Sequence, residues 1–154
     1  MKYRILSQEE LEILEEDFKA FLIVNGVHNE EWVEMNASNP DQAMQLVELF
    51  SDTVLQKVYD KVRFIEHRSE KSCMVFHLKE DKIELISIGA KADGVDLTTP
   101  DSIHDAMVKN AEKLSIFKTE KLYSKERTLE IHEMLEQGCV NSSEAFWIQL
   151  EKVI

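Results

Sequence analysis

Glu66, His77 and Glu84 are the residues in this sequence best suited to acid–base chemistry. An imidazole held between two carboxylates can bind a divalent metal or act as a general base. The three meet only if the segments carrying them are paired antiparallel strands. With Glu80 and Asp81 as a turn, Leu78 falls opposite Ile83, Phe76 opposite Leu85 and His77 opposite Glu84. With a first turn over Ser69 to Ser72, Ile65 faces Phe76 and Phe64 faces His77, which sets Glu66 diagonal to His77. The plainer reading of the same three residues is a solvated cross-strand ion pair, worth roughly 0.2–1 kcal/mol.

Other chemistry-bearing groupings are weaker. Asp93, Asp96 and Asp101 surround Gly94 loosely in the manner of a calcium loop, but the alternating ligand spacing and closing Glu are missing. Lys109 to Arg127 carries six bases against three acids, among them Lys118 and Lys121. It could contact RNA or an acidic partner; a solvated face or an internal complement to the acidic first helix is the better reading. His28 reads as a loop residue, His104 and His132 sit on helices with ordinary neighbours, and His67 lies with His77 on the sheet. No Gly-rich phosphate loop, GxSxG, HExxH or paired CxxC motif is present, and four glycines leave little scope for close backbone approach to a nucleotide. No cofactor or metal is expected.

Composition narrows the classes further. A chain of 154 residues has the length of one ordinary domain and can bury roughly 70% of its unfolded surface without disulfide or metal. Hydrophobic residues are 44% and charged residues 31%, a globular balance. The formal charge of −12 opposes a broad phosphate-binding surface. The acidity is concentrated at the start: residues 1–61 hold 13 acids against five bases. No apolar run nears the ~20 residues that span a bilayer, and acids follow Lys2 and Arg4 where a signal peptide needs apolar residues. Cys73 and Cys139, far apart, read as free thiols in a reducing compartment. A cytoplasmic setting is expected.

The elements that must position these groups are well punctuated. Ser7-x-x-Glu10 is a capping box, Leu6 and Leu11 a hydrophobic staple, and one helix is expected to run to Gly26. Its buried stripe is Leu11, Leu14, Phe18, Phe21 and Leu22. Glu9 and Glu10 suit a helix dipole; Glu15, Glu16 and Asp17 lie beyond the first turn of such a helix and read as a solvated face or a docking face for a basic partner. A short helical turn spans Glu30 to Met35 and presents Trp32, which with Trp147 is either core or an interface anchor. Asn39, Pro40 and Gln42 open a helix reaching about Lys61.

Residues 62–90 then read as a meander of three strands whose face of Ile65, Phe76, Leu78, Ile83 and Leu85 packs on helices. Asp93-Gly94 could turn another hairpin. Thr99 and Pro100 open a helix, residues 114–118 are a fourth strand or a helix end, Ser124 starts a helix that stops at Gly138, and Asn141-x-x-Glu144 boxes the last. The fold class is α+β: N-terminal helices, a central three- to four-stranded antiparallel meander and C-terminal helices around a single core, in one domain over 1–154. Leu11, Leu14, Phe18, Phe21, Leu22, Phe50, Val54, Phe76, Leu78, Ile83 and Leu85 are assigned to that core.

The stretches "MKYRILSQEELEILEEDFKAFLIVNGV", "FSDTVLQKV" and "IFKTEKLYSKERTLEIHEMLEQG", with the Trp between the first two, resemble a family of short uncharacterised proteins from Bacteroidota. The resemblance implies one domain, a near-complete protein and a bacterial cytosolic setting, and carries no activity, cofactor or residue role. The leading functional reading is a module without catalytic activity that binds another protein or itself, with Glu15, Glu16, Asp17, Trp32, Lys118 and Lys121 as contact residues. The alternatives are an enzyme of unrecognised class using Glu66, His77 and Glu84, and weak RNA binding through Lys109–Arg127.

Overall fold

The computed structural model describes residues 1–154, which divide into two compact units, Met1–Asp60 and Lys61–Ile154. The first unit is helical: α1 (Gln8–Ile13), α2 (Glu15–Val24), α3 (Asn29–Ser38) and α4, which begins at Pro40 and ends at Lys61. Ser7 Oγ accepts the Glu10 N–H at 3.2 Å while Glu10 Oε1 accepts the Ser7 N–H at 2.9 Å, so the capping box is formed. Arg4 grips the same carboxylate with both Nη atoms, at 2.8 and 3.0 Å, and with the Ser7 N–H holds the Glu10 pKa down to about 2.

The expected single first helix is in fact two. At Leu14 the backbone leaves the helical region (φ −98°, ψ 20°), ending α1 and starting α2. Glu15, Glu16 and Asp17 therefore occupy the first turn of α2. The sequence pattern hid the break because Leu14 belongs to the apolar stripe of both helices. Past the end of α2, Gly26 takes φ +79° and the Val27 N–H reaches back to the Leu22 carbonyl at 2.8 Å. This is the glycine-dependent helix stop expected there.

α3 is longer than the turn expected from sequence. α4 starts as expected: Asn39 Oδ1 accepts the Gln42 N–H at 3.3 Å, and its amide donates to Gln42 Oε1 at 3.1 Å. Phe18 and Phe21 of α2 lie 4.9 and 5.3 Å from the Phe50 ring of α4, and Trp32 meets Phe18 edge-on at 5.3 Å. Phe50 is buried at 3% exposure; Leu22 is buried too, while Leu11, Leu14, Phe18, Phe21 and Val54 are half-buried. The chain ahead of α1 is tied to α4 by the Lys2 and Tyr3 N–H groups on Asp52 and the Leu6 N–H on Ser51 Oγ.

The second unit is built on an antiparallel sheet: β1 (Phe64–Arg68), β2 (Ser72–Leu78), β3 (Lys82–Ala90), β4 (Leu114–Leu122) and β5 (Val140–Asn141), in the order β4-β3-β2-β1-β5. The expected register holds throughout, with Ile65 opposite Phe76, Phe76 opposite Leu85, Leu78 opposite Ile83 and His77 opposite Glu84. Residues 114–118 are strand. Asn141 pairs with Ile65 in β5 instead of capping the last helix; that cap is Ser143, whose Oγ accepts the Phe146 N–H at 3.1 Å. Three helices complete the unit: α5 (Pro100–Lys109), α6 (Arg127–Glu136) and α7 (Glu144–Glu151). α5 has the Thr99 cap read from sequence. α6 begins three residues later than expected, at Arg127, with Ser124 donating to Glu130.

The main core of this unit lies on the sheet face not chosen from sequence. Cys73, Val75, Ile86 and Ile88 are fully buried there against Ile103 and Met107 of α5 and Phe146, Trp147 and Leu150 of α7. On the opposite face Ile65, Leu78 and Ile83 are buried as expected, while Phe76 and Leu85 are half-buried. Both faces are covered, which is why β2 and β3 read as near-continuous apolar runs. No helix is long and apolar enough to cross a membrane.

Two outcomes test this arrangement. Phe50→Ala is expected to cost about 3–5 kcal/mol in urea unfolding, and the half-buried Phe76→Ala less. Replacing Glu15, Glu16 and Asp17 together with Gln is expected to lower the melting temperature, more at low salt than at high, because the three acids face the positive end of α2.

Candidate functional site

The register sets Phe64, His77, Glu84 and Glu120 in one row across β1, β2, β3 and β4, with side chains toward α7. Phe64 stacks on the His77 ring at 4.4 Å, and Trp147 of α7 meets that ring edge-on at 5.4 Å. Beside this aromatic group lies an ionic one. Glu84 Oε1 is 2.7 Å from Lys79 Nζ and Glu84 Oε2 is 3.5 Å from Lys118 Nζ. Lys118 also reaches Glu151 at 2.9 Å and stands 5.6 Å from the centre of the Trp147 ring, and Lys82 pairs with Glu120 at 2.8 Å.

Of the three residues expected to work together, the fold brings two into contact. His77 Nδ1 is 3.6 Å from Glu84 Oε1, too long for a hydrogen bond, and this nitrogen is closed off from solvent without a hydrogen-bond partner. Burial pushes the His77 pKa below its ordinary value, against the opposing pull of Glu84, so the ring is neutral at pH 7. The Glu84 carboxyl is held below its usual range, mainly by its hydrogen bond to Lys79. Glu66 is elsewhere: nearly enclosed, it receives both Nε and Nη2 of Arg68, whose guanidinium stands 5.1 Å from the Phe146 ring. The neighbouring Cys73 thiol is driven up to about 12 by burial and by Glu66, which makes it a poor nucleophile. No group of three or more His, Cys, Asp or Glu side chains is placed to hold a metal ion.

The contact residues expected from sequence fall in two places. Glu15 and Trp32 border a groove of about 460 Å³ between α2 and α3, and Lys19 pairs with Glu15 and Glu16 at 3.3 and 3.7 Å. Asp17 borders a second groove, also about 460 Å³, where Phe21 and Val24 face Val54 and Val58 of α4. Lys118 and Lys121 are on β4, and Lys121 Nζ lies 3.7 Å from the buried Glu130. Most bases of the basic stretch face acids of this same unit, as Lys125 does Glu133 at 2.6 Å and Lys109 does Asp105 at 4.0 Å. Asp96 is occupied with the Thr98 N–H and hydroxyl, at 3.0 and 2.5 Å.

Two features escaped sequence reasoning. Arg127, counted there as one more base, donates to the carbonyls of Val62, Leu78 and Lys79 and so ties α6 to the strand ends; nothing in its sequence context marks it. The other is the state of β4. It has no strand on its outer side, and seven of its nine residues are exposed, including Phe117 at 52% and Leu122 at 76%. From sequence, residues 114–118 were open between a strand and a helix end, and nothing there marked a place at the sheet edge.

Fold and site thus define a two-unit α+β protein with a five-stranded antiparallel sheet, one of whose open edges is β4. Over residues 1–154 the chain matches a family of unknown function (DUF6495), and it belongs to that family. No curated protein and no solved structure matches it.

A pH prediction comes from His77. Well above 6.5 the imidazole is neutral folded and unfolded, and contributes no pH dependence. Below 6.5 the unfolded chain takes up the proton first, so stability falls as pH drops toward the lowered folded-state value. His77→Phe keeps a ring against Phe64 and Trp147 and is expected to flatten that part of the urea-unfolding profile.

Proposed function

We propose that this protein is a cytosolic protein-binding module whose binding element is the free edge of β4, to which an extended segment of another polypeptide adds as a further strand. The observation that carries this reading is the direction of the β4 backbone groups. The Lys91 N–H donates to the Lys113 carbonyl at 2.7 Å, one step beyond the Ala90–Leu114 pair. Antiparallel ladders alternate, so Ser115, Phe117, Thr119 and Lys121 spend their N–H and C=O groups on β3. Ile116, Lys118, Glu120 and Leu122 turn theirs outward. An open row of such groups is a template for another strand.

Charge restricts which strand fits. The incoming segment must set an acid opposite Lys118 and a base opposite Glu120, since like charges directly opposed destabilise a pair. The grooves of the first unit, with Glu15, Asp17 and Trp32 at their margins, are a separate candidate contact region. The free Cys73 and Cys139 accord with a reducing compartment.

Proline substitution separates binding from folding. Glu120→Pro removes an outward N–H and is expected to leave the fold in place, whereas Thr119→Pro removes a donor to β3 and is expected to unfold the edge. By hydrogen exchange, the outward amides of Ile116, Lys118, Glu120 and Leu122 should exchange freely in the dilute chain and become protected when a partner strand is bound. Equal exchange in the free and bound states would sink the proposal.

A further inference from the structure

We infer that the strand received by β4 is β4 of a second copy of this chain, paired antiparallel about a two-fold axis through Thr119. This rests on the edge-strand reading above and names the partner. The argument is one of self-complementarity. In a two-fold pair, outward residues must face outward residues, and each register is fixed by the residue at its centre. Centring on Lys118 opposes lysine to lysine, and centring on Glu120 opposes glutamate to glutamate. Centring on Thr119 sets Lys118 against the second copy's Glu120, and the same pair recurs across the axis. It also aligns the outward N–H and C=O groups of both strands for hydrogen bonding over residues 116–122.

The same register settles the apolar residues. Leu122, 76% exposed in the single chain, comes opposite Ile116 on the face that carries α7. Phe117, 52% exposed, comes opposite Lys121, whose methylene stem covers the ring while its ammonium stays wet. The opposite margin of the sheet ends in the two-residue β5, too short to compete. Lysines on an edge strand ordinarily deter pairing. Here the single intervening acid converts that deterrent into a register selector. Lys82 and Glu151, which already contact Glu120 and Lys118, remain beside the new pairs as a network.

Cross-linking tests the register directly. In a Cys139→Ser background, Thr119→Cys places two thiols in a non-hydrogen-bonded pair, the closest kind, and should give a disulfide-linked dimer under mild oxidation. Lys121→Cys should not, because its own counterpart lies four residues along the strand, roughly 13 Å away. Sedimentation velocity over a wide concentration range should show the unaltered chain in reversible monomer–dimer exchange. Lys118→Glu should weaken the dimer by about tenfold or more, as two opposed pairs become repulsive. Glu120→Pro should abolish the dimer, with thermal melting showing that each variant is folded.

A chain that stays monomeric at the highest attainable concentration overturns this inference. The edge-strand reading would then stand only if the outward β4 amides become protected by some other bound polypeptide. A dimer that survives Glu120→Pro with those amides still exchanging would overturn both.

Discussion

The antiparallel register that sets His77 of β2 opposite Glu84 of β3 is the constraint on which the rest of the second unit depends. Side chains alternate across a strand, so a slip of one residue would carry every one of them to the other face. A slip of β2 would take Cys73 and Val75, or a slip of β3 Ile86 and Ile88, out of the layer closed by α5 and α7, and those fully buried side chains would lose their packing. The cost of that loss, at roughly 1.5–3 kcal/mol for each large aliphatic side chain, far exceeds anything the ionic contacts contribute. Apolar burial therefore selects the register, and the charged row follows from it.

That order of causes explains the character of the His77 cluster. The imidazole sits where an aromatic side chain is needed between Phe64 and Trp147, and burial keeps it uncharged. Glu84 lies at the margin of the same layer, where Lys79 and Lys118 can reach it from solvent. The group is thus a transition between a packed interior and a wet sheet edge. Its lysines keep the carboxylate ionised, and its rings keep the histidine from sharing that charge. Lys118 belongs at once to this cluster and to the open strand, so the contacts that finish the core also set the charge pattern along β4.

In the first unit the governing event is the break at Leu14. Without it the acids from Glu9 to Asp17 would crowd one continuous helix, with Glu12 and Glu16 repelling across a turn. With it all of them but Glu12 fall in the first turns of two helices, each with a positive end to face. Lys19, one turn into α2, adds a counter-charge for Glu15 and Glu16. The density of acids is therefore explained by helix architecture to a greater extent than a single helix would allow.

Many local signals, in which one residue acts on its near neighbours, were legible in this sequence. The Ser7–Glu10 box, the Asn39–Gln42 start, the Thr99 cap, the Gly26 stop and the turns of the β1–β2–β3 meander all depend on backbone groups a few residues apart, and all were read at their positions. From those turns the pairing of His77 with Glu84 followed. What sequence could not decide was competition at a distance. Asn141 could cap a helix or join β1, and the outer side of β1 took it. Glu66 could face His77 or Arg68, and a guanidinium offering two donors to a nearly buried carboxylate won. Which face of the meander would hold the main core depended on where α5 and α7 came to rest, and the placement of β4 at the edge depended on how the whole sheet was ordered. Those choices are made by long-range burial and by the pairing of strands far apart in the chain, and only the tertiary structure contains them.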